Sequence, residues 1–183
     1  MRRKPLRSLL AAKKAKPFVV VMPFGYGIAP GTPRGVGPSS EELFTKDLIE
    51  DVIPLVQARF RVSSDRTQRA IAGLSMGGGE ALMIGLNHLE LFSFVAGFSS
   101  GLRPAEFDKT YAAAAAKPKA VNDALKVLWI GCGRDDGAIK NNQEFAKFLA
   151  DHGIKFTFRE SEGAHTWMVW RRYLNELAPL LFQ

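Results

Sequence analysis

Apolar positions along the chain follow two alternating rhythms. Short apolar runs occupy residues 18–22, 70–74, 92–98 and 127–130, and a fifth segment, 155–160, alternates so that Phe156 and Phe158 share one face. Segments of this length, rich in Val, Ile and Phe and bounded by Gly, Pro or polar residues, predict strands. The run at 127–130 is wholly apolar, as a central parallel strand must be when both of its faces are covered. Between the strands the period changes. Phe44, Leu48, Val52, Val56 and Phe60 recur every four residues behind Ser39 and Glu42, which have capping-box spacing. Pro54 predicts a kink or local loosening of that helix. Helices are also expected over residues 1–16, after residue 75, partly over 105–116, over 138–152 with Gly153 as its cap, and at the C-terminus through Trp167, Trp170, Leu174, Leu177 and Leu181. Strands alternating with helices predict an α/β fold with a parallel sheet. The Gly- and Pro-rich segment 23–38 is long for an α/β connection, and such loops are often functional.

Composition narrows the class. The chain has 183 residues, 46% hydrophobic and 23% charged, which is the expectation for a single domain over 1–183 with a substantial core. The lone Cys132 excludes an intrachain disulfide, reads as a core residue, and leaves the compartment open. The net charge of +7 owes much to Arg2, Arg3, Lys4, Arg7, Lys13, Lys14 and Lys16. A cluster of this kind can attract nucleic acid or an acidic polymer. With no aromatic residues between its charges it reads as a solvated helix face, so no nucleic-acid partner is expected. No apolar run reaches membrane-spanning length, so no membrane partner is expected. Residues 2–12 imitate the start of a signal peptide, but Lys13 and Lys14 cut the apolar stretch short and a helix is expected instead.

The sharpest chemical feature is Gly73-Leu74-Ser75-Met76-Gly77, a G-x-S-x-G motif between a predicted strand and a predicted helix. A serine hydroxyl is a weak nucleophile that needs a base within hydrogen-bond reach and a backbone that presents it. The strand-to-helix turn meets the second need, and the flanking glycines leave room where the chain doubles back. The helix N-terminus favours a developing oxyanion, with the Met76 N–H as first donor. Of the three histidines, His88 and His152 lie near predicted helix C-termini and read as capping groups. His165 lies in a loop after the last strand, on the sheet edge where Ser75 is expected, and is the candidate general base. The acid should precede it, and Gly131-Cys132-Gly133-Arg134-Asp135-Asp136 offers two carboxylates that spacing alone does not separate. No metal or organic cofactor is implied.

Residues 70–79, AIAGLSMGGG, resemble the nucleophile region of the esterase D and carbohydrate esterase family one group, which includes feruloyl esterases, acetyl xylan esterases and enterochelin-esterase-like proteins. VVVMPFGYG at 19–27, FTKDLIEDVIPLVQARFRV at 44–62, LWIGCGRDD at 128–136 and GAHTWMVWRRYL at 163–174 carry the resemblance across nearly the whole chain. It implies an α/β-hydrolase-like three-layer sandwich, with a mainly parallel sheet of about five strands. It also implies a Ser-His-Asp triad in which the acid is the last residue of a G-x-x-D pattern, here Asp136. The implied activity is hydrolysis of feruloyl- or acetyl-type esters on plant polysaccharide, or of short-chain esters. Gly25, Tyr26 and Trp167 are then candidates for contact with the substrate. Members of the group are often secreted.

The chain departs from that pattern at its start. The group carries earlier strands, one of them with a histidine-glycine loop that supplies a second oxyanion N–H, and no such motif precedes Phe18. The chain thus resembles an N-terminally shortened member. Two expectations follow. Either a homo-oligomer covers the open sheet edge, or residues 18–22 pair directly with residues 70–74, bringing an N–H of Phe24, Gly25 or Tyr26 toward Ser75. Two other functions stay open at this level: acyl transfer of the mycolyltransferase type, and a catalytically weak binding or structural role.

Overall fold

Four of the predicted strands assemble into one parallel sheet, and the fifth does not. The computed structural model describes residues 4–25 and 38–183. These fall into two compact units, one of Met1–Pro17 with Asp65–Gln183 and the other of Phe18–Ser64.

In the first unit, β1 (Ala70–Leu74), β2 (Phe94–Phe98), β3 (Val127–Gly133) and β4 (Thr157–Ser161) lie side by side in chain order. All three pairings are parallel, with Leu74 opposite Phe98, Phe98 opposite Gly131, and Gly133 opposite Ser161. Their C-terminal ends therefore share one edge of the sheet. Helix α4 (Met76–Asn87) crosses from β1 to β2. The short helices α5 (Phe107–Thr110), α6 (Ala112–Ala116) and α7 (Pro118–Ala124) lead to β3, and α8 (Ile139–Asp151) leads to β4. Successive right-handed crossovers in one direction place these helices on one face.

The other face is covered by α9 (Trp167–Leu177), against which α1 (Lys4–Ala11) packs. Alternation along β2 separates the two layers. Val95 and Gly97 meet Gly85 and Leu82 of α4, whereas Phe98 meets Tyr173 of α9 and Phe94 meets Phe182. This is the three-layer α/β arrangement expected. Every residue of β2 is buried, while β1, the edge of the sheet among the described residues, is half-exposed and leaves Ala72 open to solvent.

In the second unit, α2 (Ser40–Asp47) opens with the expected capping box: Ser39 Oγ accepts the Glu42 N–H at 3.1 Å and a Glu42 carboxylate oxygen accepts the Ser39 N–H at 2.8 Å. A π-helical turn, Leu48–Val52, joins α2 to α3 (Ile53–Arg59). This is the loosening that Pro54 predicts, because its ring displaces the carbonyl of the preceding turn.

Residues 18–22 correct the sequence reading. They form no strand, the sheet has four strands among the described residues, and Val19, Val20, Val21 and Met22 are 45–81% exposed. β-branched side chains favour extended backbone, but a strand exists only where a neighbour accepts its ladder hydrogen bonds. The expected strand at residues 18–22 is thus not among the four strands of the sheet. Most of the 23–38 loop, Tyr26 included, lies outside them.

Candidate active site

Strand β1 ends at Leu74 and α4 starts at Met76, so Ser75 alone makes the turn. Its φ of 55° and ψ of −123° are rare for an L-residue and persist only when the surroundings hold them. They are held by backbone bonds on both sides. The Ser75 N–H donates to Phe98 O at 2.9 Å, and the Ser75 carbonyl accepts from the N–H groups of Gly78, Gly79 and Gly101 at 3.0, 3.2 and 2.7 Å. The N–H groups of Met76 and Gly77 lie in the first turn of α4, where no intrahelical acceptor exists, at the positive end of the helix dipole.

The glycines around Ser75 differ in what they do. A Cβ on Gly73 would lie 1.9 Å from the Gly77 carbonyl oxygen, and one on Gly79 would lie 2.4 Å from that of Gly101. At Gly77 a Cβ would meet, among the described residues, only a Glu80 carboxylate oxygen, at 3.9 Å. The expectation that both glycines flanking the motif leave essential room therefore holds at Gly73 and fails at Gly77.

Parallel pairing of β3 and β4 brings the two following loops into register. Arg134 N–H donates to Ser161 O at 2.8 Å, and Asp135 N–H donates to Gly163 O at 3.2 Å. The two aspartates then separate. Asp135 accepts the Gly163 N–H at 3.2 Å and so clamps the neighbouring loop. Asp136, buried, places both carboxylate oxygens 2.9–3.0 Å from His165 Nδ1. It also accepts the Ala138 N–H at 2.9 Å. An ionised carboxylate only accepts, so Nδ1 carries the proton and Nε2 of the neutral ring is an acceptor. His165 Nε2 lies 2.9 Å from Ser75 Oγ. Ser75, His165 and Asp136 thus form one continuous hydrogen-bonded chain at the C-terminal edge of the sheet, where ligands of open α/β sheets bind. The other histidines are engaged elsewhere: His88 caps α4 and pairs with Glu90, and His152 caps α8 and bonds Phe148 O.

Met76 is exposed at the start of α4, and Trp167 is 55% exposed at the start of α9, set perpendicular to Trp170 at 5.2 Å. Gly25 belongs to the other compact unit. Cys132, one residue past the register partner of Phe98, has its thiol pushed up to about 12, first by burial and then by the charge of Asp136. A thiol held neutral does not compete with Ser75 as a nucleophile. Sequence reasoning missed Ser99, Ser100, Gly101 and Asn142, whose hydrogen bonds lead to the Ser75 carbonyl and, through Ala138, to Asp136. The available signal was a run of small residues directly after a strand adjacent to the nucleophile strand. Among the described residues, no cluster of His, Cys, Asp and Glu is suited to hold a metal, and no helix is long and apolar enough to cross a membrane.

Comparison with known proteins finds esterases. The chain is 36% identical over 180 residues to an endo-1,4-beta-xylanase/feruloyl esterase of Xylanibacter ruminicola, an alignment covering 96% of this chain and 23% of that protein. The chain thus spans about a quarter of that relative. It is 26% identical over 192 residues to an acetyl esterase of Caldicellulosiruptor saccharolyticus, covering 85% of this chain and 72% of the relative. Its fold superposes with a TM-score of 0.76 on a ferulic acid esterase from Anaeromyces mucronatus solved in complex with ferulic acid, at 21% identity over 96% of this chain and 69% of the other. Residues 6–181 match the Esterase family across both the Ser75 elbow and the His165 loop, and the chain belongs to that family of α/β-hydrolase fold.

Proposed function

We propose that the chain hydrolyses carboxylic esters through an acyl-enzyme formed on Ser75. The observation that carries this reading is the hydrogen-bonded order Ser75–His165–Asp136 at the turn from β1 into α4. As Ser75 Oγ attacks the ester carbonyl, its proton passes to His165 Nε2, and the imidazolium so formed is stabilised by Asp136. The carbonyl oxygen becomes an oxyanion facing the Met76 N–H. Collapse of the tetrahedral adduct expels the alcohol, which takes the proton from His165. Water then enters, gives its proton to Nε2, and attacks the acyl carbon. The acid leaves and Ser75 regains its hydrogen. Every proton taken by His165 is returned, so the cycle closes with Ser75 and His165 in their starting states.

The substrate class proposed is feruloyl or acetyl esters on plant polysaccharide. It is supported by the names of the two relatives and by the exposed Trp167 indole, an aromatic surface fit to carry an aromatic acyl group or a sugar ring. The test is covalent labelling by a fluorophosphonate, read by intact mass. One adduct per chain is expected, absent in Ser75→Ala, together with turnover of a short-chain nitrophenyl ester that the same substitution abolishes. Turnover retained by a folded Ser75→Ala protein would refute the reading.

A further inference from the structure

Ser99, Ser100 and Gly101 follow β2 and reach the hydrogen-bonded chain without joining it, at Ser75 directly and at Asp136 and His165 through Asn142 and Trp170. Gly101 N–H donates to the Ser75 carbonyl at 2.7 Å. Ser100 is gripped at both backbone groups by the fully buried Asn142 of α8, whose Oδ1 accepts the Ser100 N–H at 3.2 Å and whose Nδ2 donates to Ser100 O at 3.0 Å. Asn142 Nδ2 also donates to Ala138 O at 2.9 Å, and the N–H of Ala138 is bonded by Asp136. Ser99 is fully buried, and its Oγ accepts the indole N–H of Trp170 at 2.9 Å. Trp170 in turn stands perpendicular to the His165 ring, with centroids 4.9 Å apart.

We infer that Asn142 and Trp170 are positioning residues, which act through the Ser99–Gly101 turn to set the separations between Ser75, Asp136 and His165. Three observations support this beyond proximity. First, Ser99 has a φ of +47°, unusual outside glycine, and its own N–H is bonded to Gly131 O at 2.7 Å. A strained residue fixed from both sides marks a turn whose exact shape matters to its neighbours. Second, the buried amide of Asn142 ties the turn after β2, whose Gly101 bonds the Ser75 carbonyl, to Ala138 at the start of α8, whose N–H bonds Asp136. Third, His165 is 42% exposed at its side chain and lies in an irregular loop, so its ring needs lateral support besides Asp136, and Trp170 is the buried ring beside it. Ser100 Oγ finds no hydrogen-bond partner among the described residues, so the Ser100 side chain contributes volume to this junction and its backbone contributes the bonds.

This inference rests on the acyl-enzyme reading of Ser75, and its test separates the two. Trp170→Phe keeps a ring beside His165 and removes the N–H that ties it to Ser99. Asn142→Asp keeps the acceptor for Ser100 and removes the donor to Ser100 and Ala138. Arg66→Lys, remote from Ser75, serves as a control for destabilisation alone. In both site variants kcat on a nitrophenyl ester is expected to fall about tenfold or more with KM within about twofold, since small misplacements of reacting groups carry rate penalties of up to about 10²-fold. The low-field proton resonance of His165 Nδ1–H should shift or broaden in both, and stay at its wild-type position in Arg66→Lys at a comparable loss of melting temperature. Wild-type kcat and an unmoved resonance in folded Trp170→Phe and Asn142→Asp would overturn the inference. If the wild-type protein turned over no ester, the functional reading would fail, while the resonance would still decide the positioning.

Discussion

A Cβ on Gly133 would stand 2.0 Å from the carbonyl oxygen of Gly163, so the loop bearing Asp136 and the loop bearing His165 meet at bare backbone. The contact is closed further by the Asp135 carboxylate on the Gly163 N–H. Gly133→Ala should therefore push the two loops apart and lower ester turnover by about 10²-fold, the scale of an ångström-sized misplacement. Turnover at the wild-type level in Gly133→Ala would show that the loops are free to separate without moving His165.

The two adjacent aspartates should behave very differently. Asp136→Asn replaces the acceptor on His165 Nδ1 by an amide that can select the wrong tautomer, and a loss of kcat of up to about 10⁴ is expected. Asp135→Asn retains a carbonyl oxygen able to accept the Gly163 N–H, and a loss below about tenfold is expected. Steady-state kinetics on one ester reads both, and the opposite ranking would transfer the acid role to Asp135.

The glycines of the elbow supply a stability test. Gly73→Ala places a methyl against the Gly77 backbone, and a cost of about 3 kcal/mol is expected. Gly77→Ala has open space in the first turn of α4, and alanine is the better helix former by about 0.8–1.0 kcal/mol. It should be neutral or stabilising. Urea denaturation with an unchanged m-value distinguishes these outcomes.

Arg66 ties three segments together, donating from Nε to Leu89 O at 2.7 Å and from Nη2 to Phe92 O at 3.0 Å and to Ala124 O. Arg66→Ala leaves those carbonyls without this partner and should cost about 2–3 kcal/mol. Ester turnover per folded molecule should be unaffected, because the contacts lie at the end of the sheet where β2 and β3 begin.

Cys132 predicts a pH dependence in stability. Burial and the nearby Asp136 raise its thiol from an ordinary 9.0 to about 12, so the native state holds the proton more tightly than the unfolded chain. The contribution is complete below about pH 9, where both states are protonated, and is lost as pH climbs from there toward 12. The stability of the wild type relative to Cys132→Ala should fall over that window. A difference independent of pH between 8 and 11 would contradict the shift.

Much of the architecture was legible because it is encoded locally. The strand at Ala70–Leu74, the capping box at Ser39 and Glu42, the loosened turn before Pro54 and the glycine cap at Gly153 each follow from a few neighbouring residues. The same is true of the turn at Ser75, whose glycine-lined sequence admits a backbone that few others tolerate. Parallel order followed from alternation of strand and helix, and placed Ser75 and the His165 loop on one edge.

What tertiary structure alone decided depends on partners distant in sequence. Residues 18–22 have the composition of a strand, yet strandhood requires a neighbour, and composition does not supply one. Asp135 and Asp136 are equivalent in spacing, and only the Gly133–Gly163 contact, set by the β3–β4 register, turns one toward His165 and the other toward the loop backbone. Trp170 reads as a core residue from its helical period and is indeed buried, but its indole N–H bonds Ser99, 71 residues away in the chain, while its ring stands against His165. Asn142 gave no signal, because a buried amide is indistinguishable in sequence from a solvated one until the loops it bridges have been folded against it.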